Sequence, residues 1–142
     1  MRPEEKHCAE ELTAFIDQAT SPYHVVEKCH EILRPVRMFE KEKIRAGQMY
    51  SFSLYNTGTI IVSIGDNPRG PLRIACAHTD FPCLRVKPNP VLKEHGYGKL
   101  NVEPYGGLIR NTWMDRPLSL SGAVALRTED PFAPSLRLVD FR

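Results

Sequence analysis

Apolar residues recur at helical spacing near the start of the chain and at strand spacing afterwards. Over residues 4–19, Cys8, Leu12, Phe15, Ile16 and Ala19 form one apolar stripe among Glu, Lys and Gln, which predicts an amphipathic helix. Thr20-Ser21-Pro22 interrupts the pattern. Ser21 is a natural N-cap, and Pro22 suits the first helical position, where a missing N–H costs nothing. A second helix is expected over about residues 23–33, burying Val25, Val26, Cys29, Ile32 and Leu33 and stopping before Pro35. His24 and His30 lie six residues apart on it and face different directions, which suits solvated or capping roles.

The period then changes. Residues 39–45 are mixed and charged, a connection or a short helical turn. Large and small side chains alternate from Met49 to Tyr55, Asn56-Thr57-Gly58 signals a turn, and residues 59–64 supply the second arm of a hairpin. Residues 65–71 are a loop. Nine of the twelve prolines fall between Pro68 and Pro134, so the second half should consist of strands broken by ordered loops. Leu84-Arg85-Val86-Lys87 alternates and is expected to stop at Pro88 and Pro90, with Arg85 and Lys87 on a wet face. Residues 94–98 make a flexible tip, residues 100–107 return to extended structure and break at Gly106-Gly107, and Trp113-Met114-Asp115-Arg116-Pro117 is a compact turn. Two further strands are expected over residues 118–126 and 136–141. Two helices, a hairpin and more strands describe an α/β layer with an incomplete sheet.

The stretch Arg73-Ile74-Ala75-Cys76-Ala77-His78-Thr79-Asp80-Phe81-Pro82 carries the candidate chemistry. Its apolar run reads as a short buried strand ended by proline. Residues i and i+2 of an extended chain share a face, so His78 and Asp80 should point the same way, at a strand end where α/β sheets place ligands. A neutral His is the commonest metal ligand, and a carboxylate beside it sets its tautomer. A His-x-Asp pair is weak by itself, because a lone His near a strand end is more often an ordinary hydrogen-bonded residue. No nucleophile elbow, phosphate-binding glycine loop or HExxH helix competes with it.

Composition narrows the classes without choosing among them. The 142 residues are 42% apolar and 25% charged, with a formal net charge of +2 and both signs interspersed. That argues against nucleic acid or a membrane surface as a partner. No apolar run approaches the roughly 20 residues of a membrane span, and the charged first residues do not resemble a signal peptide, so cytoplasmic residence is expected. Cys8, Cys29, Cys76 and Cys83 form no CxxC pair and read as small, reduced, mainly buried hydrophobes. Cys76-x-His78-x4-Cys83 matches no common structural zinc spacing and shows no fourth ligand.

Longer blocks carry more specificity than any single pair. Phe15-Ile16-Asp17 with Ser21-Pro22-Tyr23-His24, then residues 77–88, Asn101-Val102-Glu103-Pro104-Tyr105-Gly106-Gly107, Thr112-Trp113-Met114-Asp115-Arg116-Pro117-Leu118-Ser119-Leu120 and Ser121-Gly122 occur in this order. Together they resemble the aspartyl aminopeptidase family over about residues 12–126. The resemblance implies an α/β fold, the N-terminal part of a zinc-exopeptidase-like mixed sheet with flanking helices, leading into a β-rich dimerisation domain. Residues 1–103 would then be the N-terminal part of the catalytic domain, and residues 104–142 the start of the inserted dimerisation domain.

The implied activity is a zinc-dependent removal of N-terminal, acidic (Asp or Glu) residues from peptides by a homo-oligomer with two Zn2+ per active site. His78 matches the first zinc ligand of the family and Asp80 the catalytic carboxylate that orients it. Phe81 stands where the family has a small residue. The bridging Asp, the Glu pair, the other ligands and the residues that select the substrate are expected beyond position 142. One His cannot hold a catalytic zinc that needs three protein ligands, so the chain alone is expected to be inactive. The rival reading, from another class, is a non-catalytic remnant acting as a protein-interaction module, which exposed apolar sheet faces would favour.

Overall fold

The computed structural model describes residues 2–37, 43–67 and 69–142. In chain order the elements are α1 (Pro3–Gln18), α2 (Pro22–Leu33), β1 (Val36–Arg37), β2 (Met49–Leu54), β3 (Gly58–Ser63), β4 (Cys83–Glu94), β5 (Tyr97–Tyr105), a 3-10 turn (Arg110–Trp113), β6 (Leu120–Leu126) and β7 (Ser135–Phe141). They divide between two units, Met1–Thr79 with Ser119–Arg142, and Asp80–Leu118. The connection expected over residues 39–45 lies partly outside the described residues.

In the first unit both helices stand where the periodicity puts them. The N-cap of α2 forms as its sequence dictates: the Ser21 hydroxyl accepts from the His24 amide at 3.5 Å and lies 2.7 Å from His24 Nδ1. Beside the helices, β1 pairs parallel to β2 and β2 pairs antiparallel to β3, a small mixed sheet. His30 Nε2 lies 2.9 Å from Thr59 Oγ1, which ties α2 to one face of the β2–β3 hairpin. The hairpin of β6 and β7 is held to the helices by Ser121, which donates to the Thr20 carbonyl, and by Arg142, which donates to the Asp17 carbonyl.

Burial falls well short of the expected helix faces. Among the described residues the buried apolar set is Ala19, Val26 and Tyr50. Val25 and Cys29 are only half-buried, while Leu12, Ile16, Ile32 and Leu33 are exposed. Tyr50, Phe52 and Leu54 share the hairpin face opposite Thr59, and Ile60 is paired with Phe52. Phe52, Leu54 and Ile60 nevertheless face solvent. The chain presents 12541 Å2 of accessible surface for 16.1 kDa, against roughly 7400 Å2 for a folded monomer of that mass. Correctly patterned elements are present, but the layers that would cover their second faces are not among the described residues.

The second unit is an antiparallel hairpin of β4 and β5 followed by the 3-10 turn. Its turn, expected as a flexible tip, is the ordered pair His95-Gly96 with φ of 50° and 81°. Positive φ at both central residues is the two-residue turn whose twist matches the flanking strands, and glycine adopts it freely. The expected stop at Pro88 and Pro90 is corrected. Strand β4 continues to Glu94, with a register shift between Val86 and Val91. Proline lacks only the N–H, and a bulge is where a ladder can spare it.

The β2–β3 turn places its positive φ at Tyr55 (53°) and Asn56 (58°), one position earlier than the Asn56-Thr57-Gly58 signal, with the Thr57 amide donating to the Leu54 carbonyl at 3.1 Å. Tyrosine is a poor residue for that backbone region, and Tyr55 is 94% exposed, so no packing of its ring offsets the strain. Replacing Tyr55-Asn56 by the favoured Asn-Gly pair (Tyr55→Asn with Asn56→Gly) should stabilise the hairpin by about 1 kcal/mol. An unchanged or lower urea midpoint would show that this turn is not strained.

Candidate active site

The stretch from Pro71 to His78 is not a strand in the structure, which corrects the expected Arg73–Ala77 strand. Ile74, Ala75, Cys76 and Ala77 suit a buried strand, but a strand is maintained by ladder hydrogen bonds. No described strand pairs with this one. Leu72 and Ile74 are accordingly 80% and 75% exposed. His78 ends the segment and is exposed. Its neighbour Thr79 is anchored, donating its hydroxyl hydrogen to the Thr57 carbonyl in the β2–β3 turn at 2.7 Å. The chain bends at Thr79, so the strict alternation of a strand does not run through the His78-Thr79-Asp80 triplet.

Asp80 belongs to the second unit, and there its surroundings are well defined. Strand register places Tyr105 opposite Cys83, three residues after Asp80. From that position the Tyr105 hydroxyl donates to Asp80 Oδ2 at 2.5 Å. Arg85 pairs with Glu103, so it is the diagonal neighbour of Tyr105 on the same face. Its guanidinium carbon lies 5.0 Å from the centroid of the Tyr105 ring, within cation–π range. Arg85 is exposed as expected, but it is committed to an aromatic ring and not merely solvated. Directly after Tyr105 the chain turns at Gly106, with φ of 72°, against Pro82; a Cβ there would lie 3.4 Å from Pro82 Cα.

Electrostatics follow from this packing. The Tyr105 phenol is held above its ordinary value of 10.0, first by the hydrogen bond to Asp80 and then by the charge of that carboxylate. Burial pushes the Cys83 thiol up, opposed by Arg85 and reinforced by Asp80. A raised thiol is a poorer source of the thiolate that metals bind. Cys29 is raised by burial too. All four cysteines are free, but Cys8 and Cys76 are exposed, which corrects the reading of all four as mainly buried.

A catalytic zinc takes three protein ligands, and no group of three or more His, Cys, Asp or Glu among the described residues could hold a metal ion. His78 and the residues around it do not fit a zinc ion by themselves. A concavity of the first unit, about 620 Å3, is lined by Tyr23, Glu27, His30, Ser53, Asn56 and Leu138, among others, and includes neither His78 nor Asp80.

Comparison with known proteins decides what these residues belong to. The model of the aminopeptidase I zinc metalloprotease family, M18, matches residues 15–139. The chain belongs to the M18 family. It is 36% identical over 140 residues to "Probable M18 family aminopeptidase 2" of Clostridium novyi, covering 93% of this chain and 32% of that protein. It is 42% identical over 137 residues to the protein of the same name from Ectopseudomonas mendocina, covering 92% and 32%. Its fold resembles the crystal structure of aminopeptidase I from Borrelia burgdorferi with a TM-score of 0.78 and 22% identity, over 99% of this chain and 35% of that one. The chain thus spans about a third of the length of these M18 relatives, and the mixed α/β architecture expected from the sequence is the one observed.

The role of Tyr105 was not visible in the sequence. Tyr105 stands in a family-like block, but its contact with Asp80 depends on strand register, which no local spacing announces. Two outcomes follow for the M18 chain. Gly106→Ala should destabilise the β4–β5 hairpin by about 1–2 kcal/mol through the left-handed backbone and the Pro82 contact; unchanged amide exchange in that hairpin would contradict this. The purified 142 residues should carry well under one zinc per chain, and stoichiometric tight zinc by elemental analysis would show that the ligand count is wrong.

Proposed function

We propose that this chain contributes to a zinc-dependent aminopeptidase that removes N-terminal residues, acidic ones by preference, from peptides. The observation that carries the proposal is the M18 match over residues 15–139, nearly the whole chain. The acidic preference has a narrower basis, the resemblance of the ordered blocks as a whole to aspartyl aminopeptidases; the residues that select the substrate side chain come from outside these 142. In this reading His78 supplies one ligand of a two-zinc centre and Asp80 orients it. The remaining ligands and the general base come from outside these residues, so the 142 residues alone do not turn over substrate. Residues 1–103 contribute to the catalytic domain, and residues 104–142 begin the β-rich dimerisation domain of a homo-oligomer. Free cysteines are consistent with a cytoplasmic setting, and no helix of the described residues is long and apolar enough to cross a membrane.

Exposed apolar faces are expected to favour the interaction module and are observed, but they do not separate the two readings. A docking module and a catalytic piece that packs against further M18 chain both need such faces. Only the enzyme reading also accounts for the family match.

Complementation tests the proposal. The chain should be co-expressed with the complementary two-thirds of an M18 relative, and the purified pair assayed on Asp-, Glu- and Leu-p-nitroanilide with zinc present. The expected result is hydrolysis with acidic residues preferred, no turnover by either piece alone, and loss of activity in His78→Ala together with loss of one zinc. A stable pair without hydrolysis, or near-wild-type turnover in His78→Ala, would overturn it.

A further inference from the structure

We propose that Tyr105 is a positioning residue for Asp80, and that Arg85 holds Tyr105 in that role. The inference rests on the reading of Asp80 given under Proposed function and adds the residues that fix its carboxylate. Three observations within one unit carry it. The β4–β5 register sets Tyr105 opposite Cys83, so the phenol returns to the chain just before the strand, where Asp80 lies. Its hydroxyl donates to one carboxylate oxygen, Oδ2. The Arg85 guanidinium lies over the ring, 5.0 Å from its centroid.

The arrangement suits a carboxylate that must keep one orientation. A carboxylate on a bending, half-buried segment can rotate about its Cα–Cβ and Cβ–Cγ bonds, and a strong donor narrows that rotation. A donor from a hairpin partner is better placed than one from the irregular segment itself, because the ladder fixes its Cα. Gly106 then turns the chain against Pro82, so the backbone on both sides of the contact is constrained. The hydroxyl keeps its proton throughout, and no bond is made or broken. Because the folded phenol is raised above its ordinary value of 10.0, the stabilisation from this contact is complete below that value. It is lost as pH rises through the raised one.

Two measurements test the proposal. The first is an alkaline absorbance titration of the 142-residue chain, which has five tyrosines. A late tyrosine transition should be lost in Tyr105→Phe and move to lower pH in Asp80→Asn. The second uses the complemented enzyme. Tyr105→Phe keeps the ring beneath Arg85 and removes only the hydroxyl, and should lower kcat roughly 10-fold with KM little changed. Tyr97→Phe, at the other end of the hairpin, should leave both constants unchanged. A titration unchanged by Tyr105→Phe, or a Tyr105 transition that does not move in Asp80→Asn, overturns the proposal, as does wild-type kcat in Tyr105→Phe. A wild-type pair with no turnover instead overturns the aminopeptidase reading, and the titration still decides whether Tyr105 holds Asp80.

Discussion

A β-strand needs a neighbour to satisfy its backbone, and residues 71–78 have none among the described residues. Much of the rest follows from that missing pairing. Leu72 and Ile74 remain exposed, and His78 ends an irregular segment instead of a strand. The β2–β3 hairpin has the same problem one layer away. One face meets α2 through His30 and Thr59, while Phe52, Leu54 and Ile60 on the other face are open. Apolar residues are in the right places on each element, yet burial is a property of pairs of surfaces, and among the described residues these faces lack a cover.

The second unit behaves differently because its interactions are internal. A hairpin joined by a two-residue turn brings its own partner, so β4 and β5 complete a ladder without outside help. The prolines are accommodated at the register shift, and the open end of the hairpin gathers Asp80, Cys83, Arg85 and Tyr105. Local completeness explains why a defined polar arrangement surrounds Asp80. Metal ligation has the opposite requirement: it needs several donors converging on one point, and no such convergence exists among the described residues.

This contrast also bears on the choice between enzyme and interaction module. Exposed apolar surface marks a face that something covers, but it does not identify the cover. The M18 match spans residues 15–139, and the relatives are about three times as long, so in those relatives further chain is available to cover such faces.

The sequence by itself determined the elements whose rules are local. Helical spacing and the Ser21-Pro22 start specified α1 and α2, and alternation specified β2. The turn signal after it specified β3 as its partner, extended runs marked β6 and β7, and ordered blocks of residues specified the family. It marked His78 and Asp80 as the candidate pair through their spacing and that resemblance. Only the tertiary structure decided which apolar faces are covered, that residues 71–78 lack a ladder, that β4 passes through Pro88 and Pro90, and that Tyr105 reaches Asp80. The physical reason is range. Periodicity and capping act within a few residues of the chain. Burial, pairing and register join residues far apart in it, as Tyr105 and Asp80 are, and no local pattern encodes which distant residue will arrive.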